Sequence, residues 1–152
     1  MSDTLCIRPI TASDKPEWAE LWRKYLEFYE TTLPEEIYDV TFARICDPDR
    51  KDQCGLIAVL DGKPVAIVHY LFHAHNWKIE QVCYLQDLYA YPEARGLGIG
   101  RKLVEAVYEV AEAAGRPSVY WLTQELNTTA RQLYDRVGKV TGFVKYSRAD
   151  LP

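Results

Sequence analysis

No two of the four cysteines, at positions 6, 46, 54 and 83, stand in a C-x-x-C arrangement, and no cysteine–histidine spacing resembles a zinc site. A disulfide framework and a structural metal are therefore set aside, and the cysteines read as buried free thiols in a reducing compartment. Positive charge is not in excess either. Eighteen Lys and Arg stand against 22 Asp and Glu, for a net charge of −4, which leaves no basic field for nucleic acid. No apolar run approaches the roughly 20 residues of a membrane span. The polar start Met1-Ser2-Asp3-Thr4 lacks the charged and apolar regions of a signal peptide. Repeats, low-complexity tracts and linker compositions are also missing. The expectation is one cytoplasmic domain over 1–152, with no metal and no nucleic-acid or membrane partner.

What is present is a regular alternation of elements. Cys6–Ile10 reads as a first strand. Ser13 or Asp14 caps a helix with Pro16 in its first turn, and Trp18, Leu21, Trp22, Tyr25, Leu26 and Tyr29 recur at spacings of three and four, which is one apolar face. A second helix starts near Pro34 and carries Ile37, Tyr38 and Phe42. Gly55–Leu60 and Pro64–Phe72 are apolar runs joined by Asp61-Gly62, a hairpin signal. A strand follows over Glu80–Ala90 and stops at Pro92. A helix runs from about Gly98 to Ala114, closed by Gly115. Val119–Thr123 is a short strand, Asn127 caps a helix to Val137 with Gly138 as its stop, and Gly142–Ser147 is a last strand. This order predicts an α/β fold: a mixed, mostly antiparallel sheet with helices on both faces.

The chemistry concentrates in Arg95-Gly96-Leu97-Gly98-Ile99-Gly100-Arg101, between a strand and a helix. A helix start presents unpaired N–H groups and a partial positive charge, which suits a phosphate. Glycines let the backbone approach a ligand closely, and Arg95 and Arg101 add cations. A dinucleotide fingerprint fails because its third glycine is Arg101, and a Walker loop fails on spacing. The pattern that fits is R-x-x-G-x-G, from Arg95 through Gly98 to Gly100. By itself the loop is equally a tight turn without a ligand.

In this context the chain resembles the GNAT superfamily of acetyl-CoA-dependent N-acetyltransferases. Tyr84–Pro92 is similar to the family's fourth strand, Arg95–Gly100 to its coenzyme-binding motif, and Asn127, Ala130, Leu133, Tyr134 and Gly138 to its following helix. The polyamine and diamine acetyltransferases and the small yeast Hpa-type enzymes look closest. The resemblance implies that the backbone of Leu88, Tyr89 and Ala90 pairs with the pantetheine arm as an added strand. It also implies that the amides of Gly96 to Arg101 hold the pyrophosphate, and that Asn127, with Ala130 beside it, meets the pantetheine.

Tyr134 lies two helical turns beyond Asn127, on the same side of its helix. It stays protonated at neutral pH and, if Asn127 meets the pantetheine, can reach the sulfur; the resemblance implies that it is the acid for the departing thiolate. The acceptor must be neutral, and an amine of pKa near 10.4 is so in about one molecule in 2,500 at pH 7, so a base is useful. Where the polyamine enzymes place a glutamate this chain has Gln86; Asp87 or Glu125 could take the proton through water, Asp87 being the base favoured, and Asp87 could equally bind a substrate ammonium. A backbone N–H within Leu88–Ala90 is expected to hold the oxyanion.

From Glu27 to Asp39 five carboxylates occur with aromatic rings and no cation, a composition that can hold an ammonium group. Glu27 and Tyr29, with Glu125, are the acceptor-site candidates. His69, His73 and His75 read as surface or loop residues. The activity expected is acetyl transfer to a primary amine of a polyamine, another small molecule or a protein lysine. The other class open is a non-catalytic acyl-CoA-binding module. If the strand of the short tail from Val140 to Asp150 pairs with a second copy, a homodimer results.

Overall fold

In the computed structural model, which describes residues 4–149, five strands form one sheet: β1 (Leu5–Pro9), β2 (Gln53–Leu60), β3 (Lys63–His73), β4 (Val82–Ala90) and β5 (Val119–Tyr120). They lie side by side in that order. The first three pairings are antiparallel and the β4–β5 pairing is parallel. The chain divides into two compact units, Met1–Leu122 and Thr123–Pro152. The sheet belongs to the first, with α1 (Lys15–Phe28), α2 (Glu35–Cys46) and α3 (Ile99–Ala113); α4 (Thr128–Val137) belongs to the second.

The β2–β3 hairpin follows from Asp61-Gly62, whose φ angles of 50° and 83° are the left-handed pair that a two-residue turn requires. The periodic face of α1 is buried as read: Trp18 and Leu21 are fully enclosed and Trp22 and Leu26 nearly so. Together with Tyr38 and Phe42 of α2 they cover Ile57 and Ile67 on one face of the sheet. Each large side chain buried in this way contributes about 1.5–3 kcal/mol. On the other face α3 lies against β2, β3 and β4 and buries Leu103, Val104, Val107 and Ala111. A crossover is what a parallel β4–β5 pair demands, and α3 supplies it.

Two expected elements differ. The strand over Val119–Thr123 is cut to Val119–Tyr120, and no strand is assigned to Gly142–Ser147 among the described residues. Val140, Phe143, Val144 and Tyr146 are exposed there, so no cross-strand partner rewards an extended ladder. The end of the predicted tail at Asp150, like Met1–Asp3 of the polar start, lies outside the described residues. The cysteines are free, but only Cys83 is buried and Cys6 is exposed, because Cys6 points outward from an edge strand.

Candidate active site

Strict alternation would send Leu85 and Asp87 to the same face of β4. The pairing prevents this. Asp87 stands opposite His69 and Leu85 opposite Tyr70, so Gln86 is an extra residue, a β-bulge. Leu85 therefore shares the α3 face with Tyr70, while Asp87 turns with His69 towards α1.

There the two meet. His69 Nδ1 lies 2.8 Å from Asp87 Oδ2, and His69 Nε2 lies 2.8 Å from Trp18 Nε1. An indole N–H only donates, so Nε2 accepts and the imidazole proton sits on Nδ1, where it donates to the carboxylate. His69 and Asp87 are both at least nine-tenths buried. His69 is thus no surface histidine. A polar ring inside the apolar run Pro64–Phe72 must have partners, and that was the available signal. His73 is bonded as well: Nδ1 donates to the Ala74 carbonyl, and Nε2 takes the Tyr120 hydroxyl at 2.8 Å.

Aromatic rings surround the carboxylate. The Tyr29 phenol is pushed above its ordinary pKa by burial and then by the Asp87 charge. Burial, Tyr120 and Asp87 do the same to Tyr84. Tyr25 packs edge-on against Tyr29 with ring centroids 5.1 Å apart, and its hydroxyl reaches the Gln86 carbonyl at 3.5 Å. Of the acceptor candidates, Tyr29 joins this group. Glu27 instead pairs with Lys24 at 3.7 Å, and Asp39 with Lys15 at 2.6 Å. The acidic segment is therefore not free of cations: α1 brings them from the preceding turns.

The outer edge of β4 is open where the site needs it. The strands β4 and β5 pair only at Cys83↔Val119 and Tyr84↔Tyr120. The Tyr91 amide donates to the Val65 carbonyl, so along this antiparallel pair the main-chain groups of Asp87 and Tyr89 face β3 and those of Leu88 and Ala90 face outward. Tyr89, expected to offer its backbone to a ligand, turns its main-chain groups to β3 in this register, while those of Leu88 and Ala90 lie on the open side. The Ala90 carbonyl already accepts from Arg95 Nε at 3.2 Å, with the guanidinium over the Tyr89 ring.

The glycine loop follows. Gly96 and Gly98 have φ of 83° and 76°, a region that side-chain-bearing residues adopt at a cost. An added Cβ at either would meet nothing within 4 Å, so no protein atom crowds these two positions. Gly98 caps α3, leaving the amides of Ile99, Gly100 and Arg101 without acceptors in the helix. The Ile99 side chain is buried and anchors the loop, and Leu97 is half exposed between the glycines. Arg101 is held by Glu105 at 2.7 Å. The free amides at this helix start fit a pyrophosphate.

In the second unit Asn127 caps α4, its side chain accepting from the Ala130 amide at 3.3 Å. Tyr134 follows two turns on and accepts at its carbonyl from Gly138. The Glu125 carbonyl takes the Arg131 guanidinium at 2.9 Å.

The sequence profile described as the Acetyltransferase (GNAT) family matches residues 17–139. The D-amino-acid N-acetyltransferase HPA3 of Saccharomyces cerevisiae is 38% identical over 149 residues, which is 97% of this chain and 92% of that protein. The thialysine N-epsilon-acetyltransferase of Bos taurus is 38% identical over 69 residues, 45% of this chain and 40% of that one. Among solved structures, the aminoglycoside N-acetyltransferase AAC(6')-Iy in complex with CoA superposes with a TM-score of 0.84 at 17% identity, over 99% of this chain and 98% of that one.

Proposed function

The chain belongs to the acetyltransferase (GNAT) family, and from that membership we propose that it moves the acetyl group of acetyl-CoA to the free amine of a small molecule. It is an N-acetyltransferase. The observation that carries the reading is the open edge at Leu88 and Ala90, which runs directly into the left-handed Gly96 and Gly98 at the start of α3. A pantetheine-like chain extends such an edge by main-chain hydrogen bonds, and a pyrophosphate suits the helix start beyond it.

In this mechanism acetyl-CoA supplies an activated thioester. The Leu88 amide donates to its carbonyl oxygen as the acceptor nitrogen bonds to the carbon, which is the kind of contact worth about 10²–10³ in rate. Asp87 receives the amine proton through water. The C–S bond breaks, and the Tyr134 phenol gives its proton to the sulfur. Asn127 and Ala130 steady the pantetheine, and the amides from Gly96 to Arg101 hold the phosphates. Tyr29, with Tyr25 and Tyr84, offers aromatic faces for the ammonium group; Glu27 and Glu125 add negative charge.

The yeast relative's name supports trying amino acids first as acceptors, ahead of polyamines, aminoglycosides and lysine peptides. We place the enzyme in the cytoplasm as a homodimer joined through the segment after Val140. The test is thiol release from acetyl-CoA over a panel of D- and L-amino acids, polyamines, aminoglycosides and lysine peptides, with light scattering for the dimer. Turnover on at least one small amine is expected. Binding of acetyl-CoA without turnover anywhere in the panel would overturn the assignment in favour of a non-catalytic module.

A further inference from the structure

The Trp18–His69–Asp87 chain lies outside the coenzyme cradle. Its three members come from α1, β3 and β4, and its two hydrogen bonds are both 2.8 Å. Around His69 stand Trp18 and Trp22 from α1, with Tyr38 of α2 packed on both indoles, and Gly55 of β2, whose Cβ position is 3.4 Å from His69 Cδ2. The Asp87 charge acts on Tyr29 and Tyr84, helping burial to raise both phenols. Buried polar groups in such a chain specify one another's orientation.

We propose that His69 is a positioning residue for acetyl transfer: with Nε2 occupied by the Trp18 indole N–H, its proton sits on Nδ1 and fixes the Asp87 carboxylate for the acceptor amine. Two consequences follow from the donor pattern. A neutral imidazole hydrogen-bonds the carboxylate without cancelling its charge, so the full negative charge remains available to an ammonium acceptor. The carboxylate is also pinned through Oδ2, which holds its rotamer and directs the other oxygen. Trp18 acts at one remove by choosing the tautomer, as an outer partner does for a metal-bound histidine. The inference rests on the acetyl-transfer reading, because it gives Asp87 a proton to receive.

Trp22 supplies the control. Its indole N–H is buried with no hydrogen-bond partner among the described residues, so its loss does not touch the tautomer. The experiment compares Trp18→Phe, Trp22→Phe, His69→Leu and His69→Asn with the wild type. Kinetics use acetyl-CoA and the best amine of the panel. Long-range ¹H–¹⁵N correlation reads the imidazole tautomers, and the amide spectrum checks folding. Wild type and W22F are expected to show His69 with its proton on Nδ1, and W18F a mixture of tautomers. H69L should lower kcat by about 10²-fold with the KM for acetyl-CoA within about twofold, the split expected of a transition-state contact. H69N keeps a neutral N–H donor near the Nδ1 position and should recover to within about tenfold of wild type.

A wild-type His69 protonated on Nε2, a folded H69L with wild-type kcat, or an H69N as impaired as H69L would each overturn the proposal while leaving the enzyme's activity standing. A wild type that turns over no amine, with the Nδ1–H tautomer in place, would instead mark the failure of the acetyl-transfer reading, and the positioning role would fall with it.

Discussion

The Tyr84 and Tyr120 rings stack with centroids 4.9 Å apart and planes 12° from parallel. They sit at the last matched pair of the parallel ladder, beyond which β4 and β5 separate. The Tyr120 hydroxyl also reaches His73 on β3 at 2.8 Å. A two-residue strand has few hydrogen bonds of its own, so these side-chain contacts pin it to the sheet. Tyr120→Ala is expected to lower stability by about 1–2 kcal/mol, given the aromatic pair and the hydrogen bond lost. Urea denaturation followed by fluorescence measures it.

The glycine at the start of α3 offers a test of the cradle. Gly98 has φ of 76°, and a methyl group added there would meet no atom within 4 Å. Gly98→Ala should therefore cost the fold only about 1 kcal/mol of backbone strain. The ligand side is more exacting, since the new methyl and any relaxation of φ disturb the amides of Ile99 to Arg101. The KM for acetyl-CoA should rise at least about tenfold, measured by steady-state kinetics alongside the unfolding midpoint.

Away from the site, Arg8 holds Asp14 through two hydrogen bonds of 2.7 and 2.9 Å. This contact, with those from Thr11, lowers the Asp14 pKa to about 2 against the desolvation that opposes it. A carboxylate whose pKa is depressed on folding stabilises the protein above its unfolded value, near 3.9, and loses that contribution as pH falls through about 2. Asp14→Asn should cost about 1–2 kcal/mol at pH 7, after allowance for the solvent around Arg8. The gap between wild type and D14N should narrow between about pH 4 and pH 2, read from urea unfolding across that range.

The two proposed proton carriers should fail differently. Tyr134→Phe removes the proposed acid and should lower kcat by about 10²-fold with little change in the KM for acetyl-CoA. Asp87→Asn removes the proposed base and should lower kcat/KM by a similar factor near pH 7. The deficit of D87N should shrink as pH rises, because bulk water then supplies the neutral amine whose pKa is near 10.4. Rate profiles against pH for both variants check this.

Most elements were legible because their signals are local. The spacing of Trp18, Leu21, Trp22 and Leu26 made α1, Asp61-Gly62 made the hairpin, and Gly98 and Asn127 marked the starts of α3 and α4. The strand after Gly138 was misread for the same reason: the apolar spacing of Val140, Phe143 and Val144 has no ladder to join among the described residues. Strand identity depends on a partner, and a sequence window does not contain one.

The order of residues by itself determined the α/β architecture, the glycine loop between strand and helix, and the carboxylate at Asp87. Tertiary structure alone decided where that carboxylate points and what holds it. The bulge at Gln86 turns Asp87 from the α3 face to the α1 face, because one extra residue reverses a period-two alternation. The pairing register chose Leu88 and Ala90 over Tyr89 as the open main chain. Only packing across 18 and 51 residues of chain brought Asp87 and Trp18 to the two nitrogens of His69. A buried imidazole must satisfy both nitrogens, and which groups do so is set by elements distant in sequence and adjacent in space.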